Sequence, residues 1–477
     1  MEIDKTIFRM YDIRGEVGKN FTPEVLNTIG KAYAVYIKEE ISKDKITVAV
    51  GRDIRLHSER LANAFIEGLL SSGINVIDIG ICPTPALYYS LFTLPVDGGV
   101  MITGSHNPPE FNGMKICVGK ETLYGDEIQK LYEISTKTRN TPFKDSGTIE
   151  RFDILTSYKN YLLKEFRDIS HLKVSLKIVI DSGNGCAGLI VPGLLNELGI
   201  NVVELFSEPD GHFPNHHPDP TIIETLTELK ETVRNTKADF GIAYDGDADR
   251  IGVVDEQGNV LYGDKLTYIF AKDIIKNNPG AKIIGEVKCS KVLFDEIKRL
   301  GGIPILSPVG HSLIKKKLKE ENALLAGEMS GHIYFNDRYF GYDDAIYTTL
   351  RLIEIMLNER QKDDHFVFSD LLKDLPLMYV SPEIRIPTEE ARKLKIITNF
   401  TEMFKKEFPE LASDIKGIVD IDGIRLEFSD GWGLVRASNT QPVLVMRFEA
   451  RTDERLNEYR KSFEEIIKVL SRKEEFE

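Results

Sequence analysis

Three stretches of the chain repeat one arrangement of apolar and polar positions: a short β-branched apolar run, a turn, an amphipathic segment at helical spacing, a glycine, and a second apolar run. The first reads ITVAVGRD, SERLANAFIEGLLSSG and INVIDIG, the second KIVIDSGNG, AGLIVPGLLNELG and INVVELF, the third AKIIGEV, SKVLFDEIKRLGG and IPILSPVG. Each is the pattern of a βαβ unit, since a strand covered on both faces is apolar throughout while a helix is apolar on one side only. The repeat predicts an α/β chain: three related α/β domains with mixed, largely parallel sheets whose active loops lie at strand C-terminal ends. After Leu375 the pattern changes to PEIRIP, a charged helix EEARKLKIITNFTEMFKKEF, the runs GIVDIDGIRLEF, WGLVRAS and PVLVMRFEA, and a last helix. That predicts a smaller C-terminal α+β domain with an antiparallel sheet. Repeat spacing sets the divisions at 1–153, 154–257, 258–372 and 373–477. No low-complexity linker separates these parts, so they are expected to pack around a central cleft.

Composition narrows the function. A chain of 477 residues with 42% apolar and 29% charged positions is that of a multidomain soluble protein, with no apolar run long enough to span a membrane. The first fourteen residues are mostly polar or charged, which predicts a cytoplasmic protein without a secretory leader. Cys82, Cys117, Cys186 and Cys289 are scattered without CxxC or metal-ligand spacing and are expected to be reduced packing residues. A net charge of −14, relieved by only one basic run at Lys315, Lys316, Lys317 and Lys319, argues against a nucleic-acid partner. An anionic substrate would then need a local cluster of cations.

Four segments carry candidate chemistry. In GGVMITGSHNPPEFNGMK, Ser105 follows an apolar run and precedes the turn-forming Asn107-Pro108-Pro109, with His106 and Lys115 near in sequence. It reads as a nucleophile on a rigid strand end or, equally, as a turn opener. DGDADR follows the strand-like ADFGIAY and places Asp245, Asp247 and Asp249 at alternate positions, hard oxygen donors suited to Mg²⁺ or Ca²⁺. An EF-hand fails because Arg250 stands where the sharp turn needs glycine and a strand, not a helix, follows.

GEMSGH supplies Glu328, Ser330 and His332, which would share one face if the segment were extended, and which suit sugar hydroxyls; an ordinary polar turn is the alternative. RASNTQP offers Arg436, Ser438, Asn439, Thr440 and turn N–H groups, the chemistry of a phosphate cradle or of a self-bonded hairpin turn. FRMYDIRG contributes Tyr11 and Arg14, and GHSLIK contributes His311 and Lys315. The loop HFPNHHPDP is rich in histidine, but its prolines favour a structural role over a metal site.

These four motifs, in this order and one per expected domain, resemble the α-D-phosphohexomutase family, specifically its bacterial phosphomannomutase/phosphoglucomutase branch; GHSLIKKKLKEENALLAGEMSGHIYF and RYFGYDDAIY extend the resemblance. The resemblance implies reversible conversion of hexose 1-phosphate and hexose 6-phosphate, of mannose and/or glucose, through phosphorylated Ser105 and a hexose 1,6-bisphosphate. It implies Mg²⁺ on Asp245, Asp247, Asp249 and a Ser105 phosphate oxygen, with Arg14, His106, Lys115 and Arg250 around that phosphoryl group. Glu328 and Ser330 would read sugar hydroxyls, with Tyr11, His311, Lys315 and His332 lining the cleft. Arg436, Ser438, Asn439 and Thr440 would hold the other phosphate. Small hexose phosphates would be its partners, without nucleic acid or membrane, and the chain would act as a monomer or homodimer. Phosphoglucosamine mutase is the rival within the family, and a metal-dependent sugar phosphatase using an aspartate nucleophile the rival outside it.

Overall fold

The computed structural model describes residues 3–138, 146–172, 174–438 and 442–473. Its first βαβ unit is strand Thr47–Arg52, helix Ser58–Leu70 and strand Asn75–Ile81, paired parallel. The third is Lys282–Glu286, helix Lys291–Arg299 and Ile303–Ser307, also parallel. In the second, strands Lys177–Asp181 and Asn201–Leu205 pair parallel, but the connecting helix is broken into a 3₁₀ turn, Cys186–Leu189, and a short α-helix, Val191–Glu197. Pro192 near the start of that α-helix accounts for the break: it lacks the N–H that would continue the ladder and sits well in a first turn.

In each of the first three sheets the parallel core is bordered by an antiparallel strand. Gly98–Ile102 is followed by Phe111–Val118, Phe240–Tyr244 by Ile251–Asp255, and Leu325–Gly327 by Ile333–Phe335, all antiparallel neighbours. The Ser105, DGDADR and GEMSGH loops are the three links between those pairs, so the repeat puts chemically different loops at equivalent places. The C-terminal sheet is antiparallel. Strands Gly431–Ala437 and Val443–Ala450 pair in its centre, and the helices Glu390–Glu407 and Asp453–Lys473 cover one face. The run GIVDIDGIRLEF divides into Gly417–Val419 and Ile424–Glu427, because the Asp422-Gly423 turn reverses the chain between them.

One apolar core runs without interruption from Ala49 through Tyr158, Ile242 and Tyr347 to Leu371, joining the first three sheets. The four cysteines are buried and unbonded. Among the described residues no helix is long and apolar enough to cross a membrane.

Candidate active site

Ser105 is buried just beyond the strand end at Ile102, with its hydroxyl directed into a polar centre. Its Oγ donates to Asp245 Oδ2 at 2.8 Å and lies 3.0 Å from His106 Nδ1. The two loops interlock: a Cβ on residue 246 would lie 2.5 Å from the Ser105 carbonyl oxygen, so only glycine allows this approach.

Asp245, Asp247 and Asp249 have no solvent exposure, and one oxygen from each lies within 4.8 Å of the others. Asp245 Oδ1 accepts from the backbone N–H groups of Asp249 and Arg250, both at 3.1 Å. Lys115 Nζ donates to Asp247 Oδ2 at 2.9 Å and also to Asp249 Oδ2. Thr84 fastens the loop from the first domain, donating through Oγ1 to Asp247 Oδ2 at 2.5 Å and through N to Asp247 O at 2.9 Å. Asp247 Oδ1 and Asp249 Oδ1 are buried without a hydrogen-bond partner among the described residues. Orphaned carboxylate oxygens at this spacing fit a hard divalent cation, which would satisfy them and relieve their repulsion. Glu256, at the twelfth position of an imagined EF-hand, instead accepts from Ser369.

The electrostatics follow from crowding. Burial, then the charges of Asp249 and Asp247, push the Asp245 carboxyl well above the carboxylate range. Burial would raise Asp247 too, but Lys115 and the Thr84 hydroxyl outweigh it and hold that group low. Desolvation opposes the Lys115 charge, yet Asp247 and Asp249 raise its ammonium above the ordinary value. His106 is driven well below the imidazole range by burial, helped by Arg250, Arg14 and Lys115.

Arg14 lies on the strand Ile13–Glu16, its Nε on Asp12 at 2.6 Å and its Nη1 on Asn107 Oδ1 at 2.9 Å. Arg250 donates through Nε to His332 Nε2 at 3.1 Å, while His332 Nδ1 sits 3.1 Å from both Asp249 O and Asp343 Oδ2. Lys315 Nζ reaches Asp343 Oδ1 at 3.2 Å and stands 4.0 Å over the Tyr88 ring. His311 is buried, its Nε2 without a partner among the described residues, and its ring centre is 5.9 Å from that of His332. Burial and the nearby Lys315 push this imidazole well below its usual range.

GEMSGH is not extended. It is a tight turn in which Glu328 N donates to His332 O at 2.9 Å, because two antiparallel strands must be joined in five residues. Glu328 and His332 meet across the base of that turn rather than by strand alternation. Glu328 Oε1 accepts from the Tyr334 hydroxyl at 2.6 Å and Oε2 from Gly310 N at 3.3 Å, and Ser330 is half-buried at the tip.

The Val309 peptide links three domains: its oxygen accepts from the Tyr11 hydroxyl at 2.7 Å, and its N–H donates to Asp422 Oδ2 at 2.9 Å. The same Asp422 oxygen is 3.0 Å from Arg436 Nη2. Ser438 O accepts from Lys393 Nζ at 2.6 Å. Asn439 and Thr440 lie outside the described residues.

The structure therefore gathers Arg14, Ser105, His106, Lys115, Arg250 and the aspartates around one centre, with His332 touching it and Lys315 and His311 next to that. Thr84 and Asp343 were not singled out from sequence. Asp343 had a trace in the polar pair of GYDDA, whereas Thr84, in ICPTPALYY, is an ordinary helix start until the fold brings it 163 residues across the chain.

The chain matches family descriptions along most of its length: "Phosphoglucomutase/phosphomannomutase, alpha/beta/alpha domain I" over residues 5–142, domain II over 156–258, domain III over 262–376, and the C-terminal domain over 383–466. It is 45% identical to the phosphomannomutase/phosphoglucomutase of Pseudomonas aeruginosa, across 98% of this chain and 96% of that one. With a phosphoglucomutase of Neisseria meningitidis it shares 41% identity across 98% and 97%. A crystal structure of a phosphoglucomutase/phosphomannomutase family protein from Burkholderia thailandensis superposes with a TM-score of 0.88 at 38% identity, covering 98% of each chain.

Proposed function

The chain belongs to the phosphoglucomutase/phosphomannomutase family and interconverts hexose 1-phosphate and hexose 6-phosphate; from that premise we propose that Ser105 carries the transferred phosphoryl group. The observation that carries the reading is the Ser105 hydroxyl, buried at a strand end and hydrogen-bonded to Asp245 inside a ring of cations from separate domains.

Phosphoryl transfer asks for in-line positioning and neutralisation of charge on the three equatorial oxygens. Arg14, His106, Lys115 and Arg250 surround the Ser105 phosphoryl group. Mg²⁺, which Asp245, Asp247 and Asp249 would hold together with a phosphate oxygen on Ser105, supplies further neutralisation when bound. The free hydroxyl of the hexose phosphate attacks phosphorus, the bond to Ser105 Oγ breaks, and the hydroxyl proton passes to His311, with His332 held beside it by Arg250 and Asp343, giving a hexose 1,6-bisphosphate. That molecule turns over in the cleft, Ser105 recovers the opposite phosphoryl group, and the isomer leaves. Because both orientations must bind, Glu328 and Ser330 hold sugar hydroxyls, Tyr11 and Lys315 line the wall, and Arg436, Ser438, Asn439 and Thr440 hold whichever phosphate is distal. The divisions 1–153, 154–257, 258–372 and 373–477 assign one loop to each domain. Mannose and glucose phosphates are the substrates of this reading, and the enzyme works in the cytoplasm as a monomer or homodimer.

Intact-protein mass after incubation with hexose 1,6-bisphosphate should show one added phosphate on the peptide containing Ser105; label only on Asp245 or Asp247 would favour the phosphatase reading. Rates on mannose, glucose, glucosamine and N-acetylglucosamine phosphates with Mg²⁺ then fix the sugar. Higher efficiency on glucosamine phosphate would replace the mannose/glucose assignment by phosphoglucosamine mutase.

A further inference from the structure

The backbone of the Ser105 loop has a conformation that the reacting groups do not explain. Ser105 has φ of 46°, in the left-handed region that residues with a Cβ seldom adopt, and such a residue persists only when its surroundings over-determine it. Beneath the loop lies Arg55, only 3% exposed. Its Nη2 donates to Ser105 O at 2.8 Å and Asn107 O at 2.5 Å, and its Nη1 to Pro108 O at 2.7 Å and Phe111 O at 3.1 Å.

The support continues on either side of the guanidinium. Asp53 Oδ2 lies 3.3 Å from Arg55 Nε and accepts from Gly104 N at 2.9 Å, so the counter-ion grips the loop as well. A Cβ on residue 104 would come within 2.3 Å of Arg55 Nε, which leaves room there for glycine alone. From the second domain the Phe213 ring faces the guanidinium, 5.1 Å to its centre. A charged side chain enclosed this way, with its terminal nitrogens committed to main-chain oxygens, is built to hold a loop rather than to meet a ligand.

We propose that Arg55 is a positioning residue for phosphoryl transfer: it holds the main chain of residues 105–111 so that the Ser105 hydroxyl stays aimed at Asp245 and in line with the arriving sugar hydroxyl. This rests on the reading of Ser105 as phosphoryl carrier. Lysine would keep the charge but not the planar fork that spans carbonyls along both edges.

The test uses the full-length Arg55→Lys and Arg55→Ala enzymes with Mg²⁺ and saturating hexose 1,6-bisphosphate. In Arg55→Lys, kcat should fall roughly a hundredfold while KM for hexose 1-phosphate stays within about threefold, the signature of misplacement without lost substrate contact. Guanidinium chloride at millimolar concentration should restore part of the Arg55→Ala rate and leave the wild type unchanged. A kcat within about threefold of wild type, or a KM that rises in step with the loss, would overturn the proposal. So would a loss equal to the unfolded fraction seen by circular dichroism. Should neither variant fold, Phe213→Leu decides: a fall in kcat of about threefold or more at constant KM supports Arg55, and an unchanged kcat overturns it. Phosphate mapping on the wild type separates the two claims. Its absence from Ser105 ends both, whereas its presence together with normal turnover in Arg55→Lys ends only this one.

Discussion

The first three sheets and the fourth are built into the molecule in opposite ways. Besides clusters of their own, the first three share one apolar core, and polar bonds cross between them: Thr84 to Asp247 and Ile251 N to Gly331 O at the site, and the Tyr158 hydroxyl to Asp344 in the core. The fourth has a core of its own around Phe400, Phe404, Phe448 and Phe463. It meets the third where Trp432 and Leu434 pack on Val287, with Arg425 donating to Val287 O and Cys289 O, and through polar bonds such as Val309 N to Asp422 and Lys291 N to Glu449. The difference matches two tasks. Phosphoryl transfer fails when groups are misplaced by about 1 Å, so the proposed nucleophile and the aspartates belong on interlocked elements. The bisphosphate proposed above, which must turn over, needs a grip that opens, and a domain with a core of its own can move as a unit.

The sharpest way to break this comparison is at its rigid end. Ser105→Ala should lower kcat by at least about 10⁴-fold while leaving hexose-phosphate binding, measured by calorimetry, nearly intact. Substantial turnover in that variant would remove the chemistry from the interlocked half. Next in size, Asp247→Asn takes a charge from the aspartate cluster, and kcat should fall roughly 10² to 10³-fold with a higher Mg²⁺ requirement. Chelation should silence the wild type and added Mg²⁺ revive it; activity indifferent to chelator would leave the orphaned oxygens of Asp247 and Asp249 without a task.

The jointed end should fail differently. On the reading that Arg436 holds the distal phosphate, Arg436→Ala removes one charge-assisted contact, about 1.5 to 3 kcal/mol, so KM should rise roughly 10- to 100-fold with a much smaller change in kcat. Loss of kcat at constant KM would instead tie the fourth domain to the reacting centre. The Asp422 carboxylate pairs with Arg436 in the structure, so a phosphate reaching Arg436 must compete with that carboxylate for it.

The same contrast decides what could be read in the sequence. Local pattern sufficed for the βαβ units, the antiparallel C-terminal sheet and the loops bearing Ser105, the aspartates, Glu328 and Arg436, since strand periodicity and turn residues are neighbours in the chain. It failed where geometry depends on closure between distant segments. GEMSGH reads by pattern as an extended run or a polar turn, and only the antiparallel pairing of Leu325–Gly327 with Ile333–Phe335 decides for the turn. Arg55, in GRDIR, reads as an ordinary charge after a strand; only the fold puts the Ser105 loop on it. Likewise His216 and Asn215 of HFPNHHPDP brace their loop on Asp181 and Asn184, partners that local pattern could not show.

One of those braces gives the smallest and most local test of how firmly the interlocked half is held. His216 Nδ1 lies 2.9 Å from His217 O and Nε2 lies 3.0 Å from Asp181 Oδ2, so both ring nitrogens face acceptors and the imidazolium satisfies both. Burial works against that charge, but Asp181 and the His217 carbonyl outweigh it, raising the folded-state value above the ordinary one. A histidine raised on folding stabilises fully below its unfolded pKa, and that contribution fades as pH rises through the folded-state value. His216→Gln should therefore lower stability by about 1 kcal/mol near pH 6, in urea unfolding, and the deficit should shrink toward alkaline pH. A deficit that stays constant or grows with pH would mean the ring is held neutral. The loop carrying Phe213 onto Arg55 would then be secured by packing rather than by charge.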